Sequence, residues 1–178
     1  MKEQRNYYSD GKFKTIGFPV SHKENEKRRA IMPDHVSGIN HPDRLFFEEG
    51  HGLVLEIPNK EYARYGCIIA PRETVLEQDV ICDPKIGDAD YLESLHKGQT
   101  IFGWVHATQN RDITDKIING GLTAYAWENM NYKGRHLFWR NNELAGEAAV
   151  MHAFQGFGRM PYETKTAVLG CGNTARGA

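Results

Sequence analysis

The chain has 178 residues, 40% hydrophobic and 25% charged, with a formal net charge of −1. That balance is ordinary for a globular chain with a real core, gives no basic excess for nucleic acid or an anionic membrane, and leaves apolar runs far too short to cross a bilayer. The opening MKEQRNYYSDGKFK carries no apolar signal core. The odd set Cys67, Cys82 and Cys171, without a C-x-x-C pair, fits reduced thiols packed as small apolar residues, so a cytoplasmic location is expected. The histidines lack metal-ligand spacing, and His22, His35, His41 and His51 fall in loop-like sequence; no metal site is expected.

In chain order, 1–13 reads as a polar, irregular lead-in and Lys14 to Val20 as the first strand. A charged loop follows, then a short helix with Pro33 at its first position. Leu45 to Glu48 and Leu53 to Ile57 read as short strands around the Gly50-His51-Gly52 turn. Asn59 is placed to cap a helix through Tyr65 that Gly66 ends. Cys67 to Ile69 reads as a buried strand and Pro71 to Glu77 as a short helix. Asp79 to Cys82 is the next strand; Asp88 caps a helix through Leu95, closed by Gly98; Thr100 to Val105 is again a strand. Asp112 to Ile118 is helical, Leu122 to Trp127 a strand, and NYKGRHLFWRNN a turn, short strand and second turn. The longest helix runs from Glu143 to Phe157, with Ala145, Gly146, Ala148 and Ala149 allowing close backbone packing. Strands alternating with helices predict an α/β fold: a Rossmann-like, flavodoxin-like, mostly parallel sheet. A boundary near Pro161 separates an N-terminal substrate domain, 1–160, from the start of a dinucleotide-binding Rossmann domain, 161–178.

Three constellations carry chemistry. Thr166 to Leu169 reads as a strand running into Gly170-Cys171-Gly172-Asn173-Thr174-Ala175, a G-x-G-x-x-A turn opening a helix. Its glycines allow a tight turn and close approach of a pyrophosphate, whose charge the helix amides receive. The alternative is a glycine-rich turn with no ligand. The residue that would tell NAD from NADP lies beyond Ala178. Secondly, Lys85 and His106 each follow a strand. If those strands are parallel neighbours ~4.8 Å apart, both side chains leave the same carboxyl edge, where open α/β sheets bind ligands. An imidazole suits proton exchange near neutrality, and a lysine holds a carboxylate or gives up a proton when desolvated. Spacing alone equally fits a solvated Lys85 and a core-edge His106. Thirdly, Lys23 to Pro33 is a charged run of the kind usually found as a solvated loop, although an arginine after the first strand can grip a carboxylate bidentately.

Together and in this order, these pieces resemble the alanine dehydrogenase/pyridine nucleotide transhydrogenase superfamily. The K-x-x-E-x-R-x-A-x-x-P segment falls on Lys23, Glu26, Arg28, Ala30 and Pro33, and E-x-A-G-x-x-A on Glu143, Ala145, Gly146 and Ala149. G-W-x-H at Gly103 to His106 and L-G-x-G-N-T-A-R-G-A lean toward the carboxyethylornithine synthase branch. The resemblance implies that Arg28, not Arg29, binds a substrate carboxylate, and that Lys85 and His106 share carboxylate binding and proton transfer. It places a nicotinamide cofactor, NADP ahead of NAD, on Gly170, Gly172, Asn173, Thr174 and Ala175. The implied reaction is NAD(P)H-dependent reductive condensation of pyruvate with the side-chain amine of L-ornithine or L-lysine, by a homo-oligomer. Alanine dehydrogenase, a lysine-forming saccharopine dehydrogenase and a non-catalytic α/β binding module are the alternatives. Family members are about twice this length, so a fragment without dehydrogenase activity of its own is expected.

Overall fold

Short apolar runs bounded by glycine, proline and charged residues become the strands of one sheet. The computed structural model describes residues 14–178; the lead-in expected over 1–13 lies outside the described residues. Strands β1 (Ile16–Phe18), β2 (Leu45–Glu48), β3 (Ile68–Ala70), β4 (Val80–Cys82), β5 (Thr100–Gly103) and β6 (Thr123–Ala126) form a six-stranded sheet in the order β3-β2-β1-β4-β5-β6. Each pairing in it is parallel. The fold is therefore α/β and Rossmann-like, as expected. The chain runs outward from β1 to β3 and then crosses back to β4. The strand order thus reverses between β1 and β4, the point where open sheets of this kind bind ligands.

Short helices α1 (Pro33–Val36), α2 (Lys60–Ala63) and α3 (Arg72–Leu76) connect the first half, and α4 (Arg111–Gly120) lies between β5 and β6. The Asn110 side chain caps α4 by accepting from the Asp112 amide, and Gly121 ends it in the left-handed region at φ 60°. Ile113 of α4 packs into a buried group with Ile81, Ile86, Tyr91, Leu92, Leu95, Ile101 and Val105. A second buried group is aromatic: Phe18 stacks on Phe47 at 4.6 Å, and Phe47 on Tyr62 at 4.3 Å.

Several expected elements differ. Leu53–Leu55 is a 3-10 turn, not a strand: Gly52 leaves no room for a side chain against the Ile57 carbonyl, so the chain closes on itself there. The expected helix from Asp88 to Leu95 is two 3-10 turns, Ile86–Asp88 and Leu92–Ser94. Tyr91 is drawn inward between them by a hydrogen bond to buried Asp83, which breaks the helical path. The buried strand expected over Cys67 to Ile69 is β3, Ile68–Ala70, at the edge of the sheet with Ile68 exposed.

The chain divides into two compact units, one ending at Trp127 and one running Glu128–Ala178. The second unit holds a hairpin of β7 (Asn131–Tyr132) and β8 (Arg135–His136), then α5 (Trp139–Phe157) and α6 (Asn173–Gly177). Helix α5 begins ahead of the expected Glu143. Its close packing is real: a Cβ on Gly146 would sit 2.0 Å from the Thr174 carbonyl oxygen, and one on Gly177 1.9 Å from that of Glu143. The strand expected at Thr166 to Leu169 does not form. A strand exists only as part of a hydrogen-bonded ladder, and among the described residues none pairs with this segment. Cys67 and Cys82 are buried as expected, whereas Cys171 is exposed.

Candidate active site

Five segments leave the carboxyl ends of β1 to β5, and their polar residues interlock. After β4 the chain reads Asp83-Pro84-Lys85. Asp83 is fully buried; its carboxylate accepts from the Lys85 amide at 2.7 Å and from the Tyr91 hydroxyl at 2.8 Å. Burial pushes the Asp83 carboxyl above the usual aspartate range, and these two donors offset it only in part. The Tyr91 hydroxyl is raised well above its ordinary value, by burial first and by the adjacent Asp83. Lys85 itself is about one-quarter exposed, and its ammonium lies 3.6 Å from Asp88, which also meets Lys23 at 3.5 Å.

The segments after β4 and β5 are drawn together by the backbone. The Asp83 amide donates to the Phe102 carbonyl and the Gly87 amide to the Trp104 carbonyl, both at 3.2 Å. Gly87 and Gly103 permit this: a Cβ on Gly103 would lie 1.9 Å from the Asp83 carbonyl oxygen, and one on Gly87 2.0 Å from that of Val105. Lys85 and His106 thus follow paired, parallel strands at the carboxyl edge beside the switch point, which meets the condition on which their shared edge depends. His106 takes a left-handed backbone, φ 56°, uncommon away from glycine and often found at functional positions. Its ring lies nearly parallel to Trp104, centroids 6.2 Å apart.

The β1 segment contributes Glu26, Arg28 and Arg29. Arg28 grips Glu26 with Nε at 2.9 Å and Nη2 at 2.6 Å. Burial tends to raise the Glu26 carboxyl, but the Arg28 fork wins and holds it below the usual range. Arg29 turns the other way, donating from Nε to the His51 carbonyl and from Nη1 to the Arg28 carbonyl. Beside it, Arg72 bridges Glu48 at 3.1 Å and Asp90 at 3.0 Å, and donates to the Val20 carbonyl. Glu48 also accepts from the Val20 amide at 2.6 Å. These pairs stitch the segments after β1, β2, β3 and β4 into one floor.

Sequence pattern does not single out Asp83, Tyr91 or His51, and it sets Arg29 aside in favour of Arg28; for Asp83, D-P-K directly after a strand is the available signal. His51, read as a loop residue, is buried among Phe18, Phe47 and Tyr62. Neither ring nitrogen makes a hydrogen bond of normal geometry among the described residues, although the Pro19 and Phe18 backbone lies close enough to favour the protonated ring slightly. Burial, then the Arg29 charge, lowers its pKa to about 3, so the ring is neutral.

The glycine turn belongs to the second unit. Gly170 has φ 139°, Gly172 has open space where a Cβ would stand, and helix α6 starts at Asn173. These residues fit the pyrophosphate end of a dinucleotide.

The model of the family "Alanine dehydrogenase/PNT, N-terminal domain" matches residues 17–139. The chain is 33% identical to an N(5)-(carboxyethyl)ornithine synthase of Clostridium botulinum, over 92% of this chain and 56% of that protein. It is 30% identical to an alanine dehydrogenase of Bacillus subtilis, over 76% of this chain and 36% of that one. A solved L-alanine dehydrogenase structure superposes with a TM-score of 0.67 at 22% identity, covering 79% of this chain and 40% of that chain, which bears on the fold alone. The chain spans little more than half the length of the first of these relatives.

Proposed function

Because this chain belongs to the alanine dehydrogenase/PNT N-terminal domain family, we propose that it supplies the substrate half of an NAD(P)H-dependent enzyme joining pyruvate to the side-chain amine of L-ornithine or L-lysine. The observation that carries this reading is that Arg28, Lys85 and His106 follow β1, β4 and β5, three adjacent parallel strands whose carboxyl ends flank the switch point. The similarity to a carboxyethylornithine synthase supports the choice of substrates. Residues 1–160 act as the substrate domain, and 161–178 begin the nucleotide-binding part.

Arg28, whose fork holds Glu26 when no substrate is bound, exchanges that partner for the pyruvate carboxylate. Lys85 completes that contact. Joining ketone to amine forms a C–N bond and releases water. Two protons leave the ammonium nitrogen and two reach the carbonyl oxygen, which departs as water and leaves an iminium. His106 and Lys85 share those transfers, with Asp83 fixing the Lys85 backbone from below. Gly170, Gly172, Asn173, Thr174 and Ala175 hold the cofactor, with NADP favoured over NAD. The nicotinamide supplies the hydride that reduces the C=N bond; the residues of this chain bind, orient and manage protons.

Product analysis tests the choice of reaction. With NADPH and pyruvate, the whole enzyme of which this chain is the substrate half is expected to turn ornithine or lysine into the N-carboxyethyl amino acid, and ammonia into little alanine. Alanine as the main product would replace this reading with an alanine dehydrogenase.

A further inference from the structure

The carboxyl edge presents two neighbouring guanidiniums in opposite states. Arg28 already has a carboxylate, from Glu26. Arg29 is half-buried and, among the described residues, donates to backbone carbonyls alone, those of His51 and Arg28. The acids in its electrostatic reach are Glu26, Glu48 and Asp83. Each is committed elsewhere: Glu26 to Arg28, Glu48 to Arg72 and the Val20 amide, Asp83 to Tyr91 and the Lys85 amide. Arg29 makes no ion pair among the described residues. A guanidinium drawn out of water without an anion is costly, while one whose stem and fork are already fixed binds a carboxylate with little further ordering.

We infer that Arg29 binds the α-carboxylate of the amino-acid substrate, making this edge a site for two carboxylates. The inference rests on the reading that the edge condenses pyruvate with a side-chain amine. The placement matches that product. Arg29 is pinned between the segments after β1 and β2, whereas Lys85 and His106 follow β4 and β5. Two strand spacings separate these pairs, ~10 Å, a span suited to a five-carbon diamino acid extended between its α-carboxylate and the amine that reacts at the far end. An enzyme forming alanine has no second carboxylate to place, so Arg29 discriminates between these substrate classes.

Isothermal titration of the full chain tests this by comparing L-ornithine with 1,4-diaminobutane, which lacks only the α-carboxylate. The wild type is expected to favour ornithine by about 10- to 100-fold, the usual worth of a hydrogen-bonded charge pair. Arg29→Met is expected to abolish that preference while pyruvate affinity stays within about twofold. Arg28→Met is expected to do the reverse. An unchanged preference in Arg29→Met overturns the inference, as does an equal loss for both amines, which marks Arg29 as a pin for the loop. Should Arg29→Met fail to fold, Arg29→Lys, which keeps the charge without the fork, is expected to lose most of the preference. Failure of the wild type to bind pyruvate would instead sink the reaction itself.

Discussion

Replacing His51 with leucine is expected to remove a large part of this protein's sensitivity to acid. The imidazole is buried in the Phe18, Phe47 and Tyr62 cluster, without a hydrogen bond of normal geometry among the described residues, and its pKa falls from 6.5 to about 3. The folded form therefore resists a proton that the unfolded chain accepts. Stability from this group is complete above pH 6.5, declines as the pH falls, and is gone below about pH 3. Over that whole window the loss is about 5 kcal/mol, and by pH 4 it is already about 3 kcal/mol. At pH 7.5 the leucine variant is expected to lie within ~1 kcal/mol of wild type, because relief of a buried, poorly satisfied polar ring offsets the lost ring contacts. Denaturant unfolding at pH 7.5 and pH 4 measures both. Titration of Glu26, Asp79 and Asp90 is common to the two proteins, so parallel pH profiles would show that His51 is not the acid-sensitive group.

Gly103→Ala carries the other large effect, on both stability and the site. The added methyl would stand 1.9 Å from the Asp83 carbonyl oxygen, a backbone atom that cannot swing aside. Parting the β4 and β5 segments costs ~2–3 kcal/mol, the usual scale for overpacking. It also moves Asp83, and with it the amide of Lys85 that Asp83 holds at 2.7 Å. A displacement near 1 Å at reacting groups typically costs on the order of 100-fold in rate. Gly156→Ala, in α5 with open space at its Cβ, is the matched control. It is expected to be neutral or stabilising by ~0.5–1 kcal/mol. Equal unfolding midpoints for the two variants would show that the segments are not packed through Gly103.

Much of the sheet is legible in the sequence because strands such as Leu45–Glu48 and Thr100–Gly103 are compact apolar runs with clear turn residues on each side. Lys85 and His106 were legible for the same reason: their position follows from where two strands end. Elements set by distant contacts were not. Tyr91, Leu92 and Leu95 have apolar spacing that suits a helix, yet the Asp83–Tyr91 hydrogen bond fixes a different path. Leu53 to Leu55 has the composition of a strand but is exposed in a tight turn, and Thr166 to Leu169 lacks a partner strand among the described residues. The burial of His51 depends on side chains from β1, β2 and α2 meeting, and the lack of an acid partner for Arg29 among the described residues on where three separate carboxylates are committed, which no local pattern encodes.

If Arg28, Lys85 and His106 form one site for a keto acid, loss of either of the last two side chains weakens its binding. Titrating pyruvate, with NADPH present, into wild type, Lys85→Ala and His106→Ala measures this. Lys85→Ala is expected to weaken pyruvate binding by about 10- to 100-fold, and His106→Ala to weaken it by less. Pyruvate affinity unchanged in both variants would contradict the assignment of this edge as the active site.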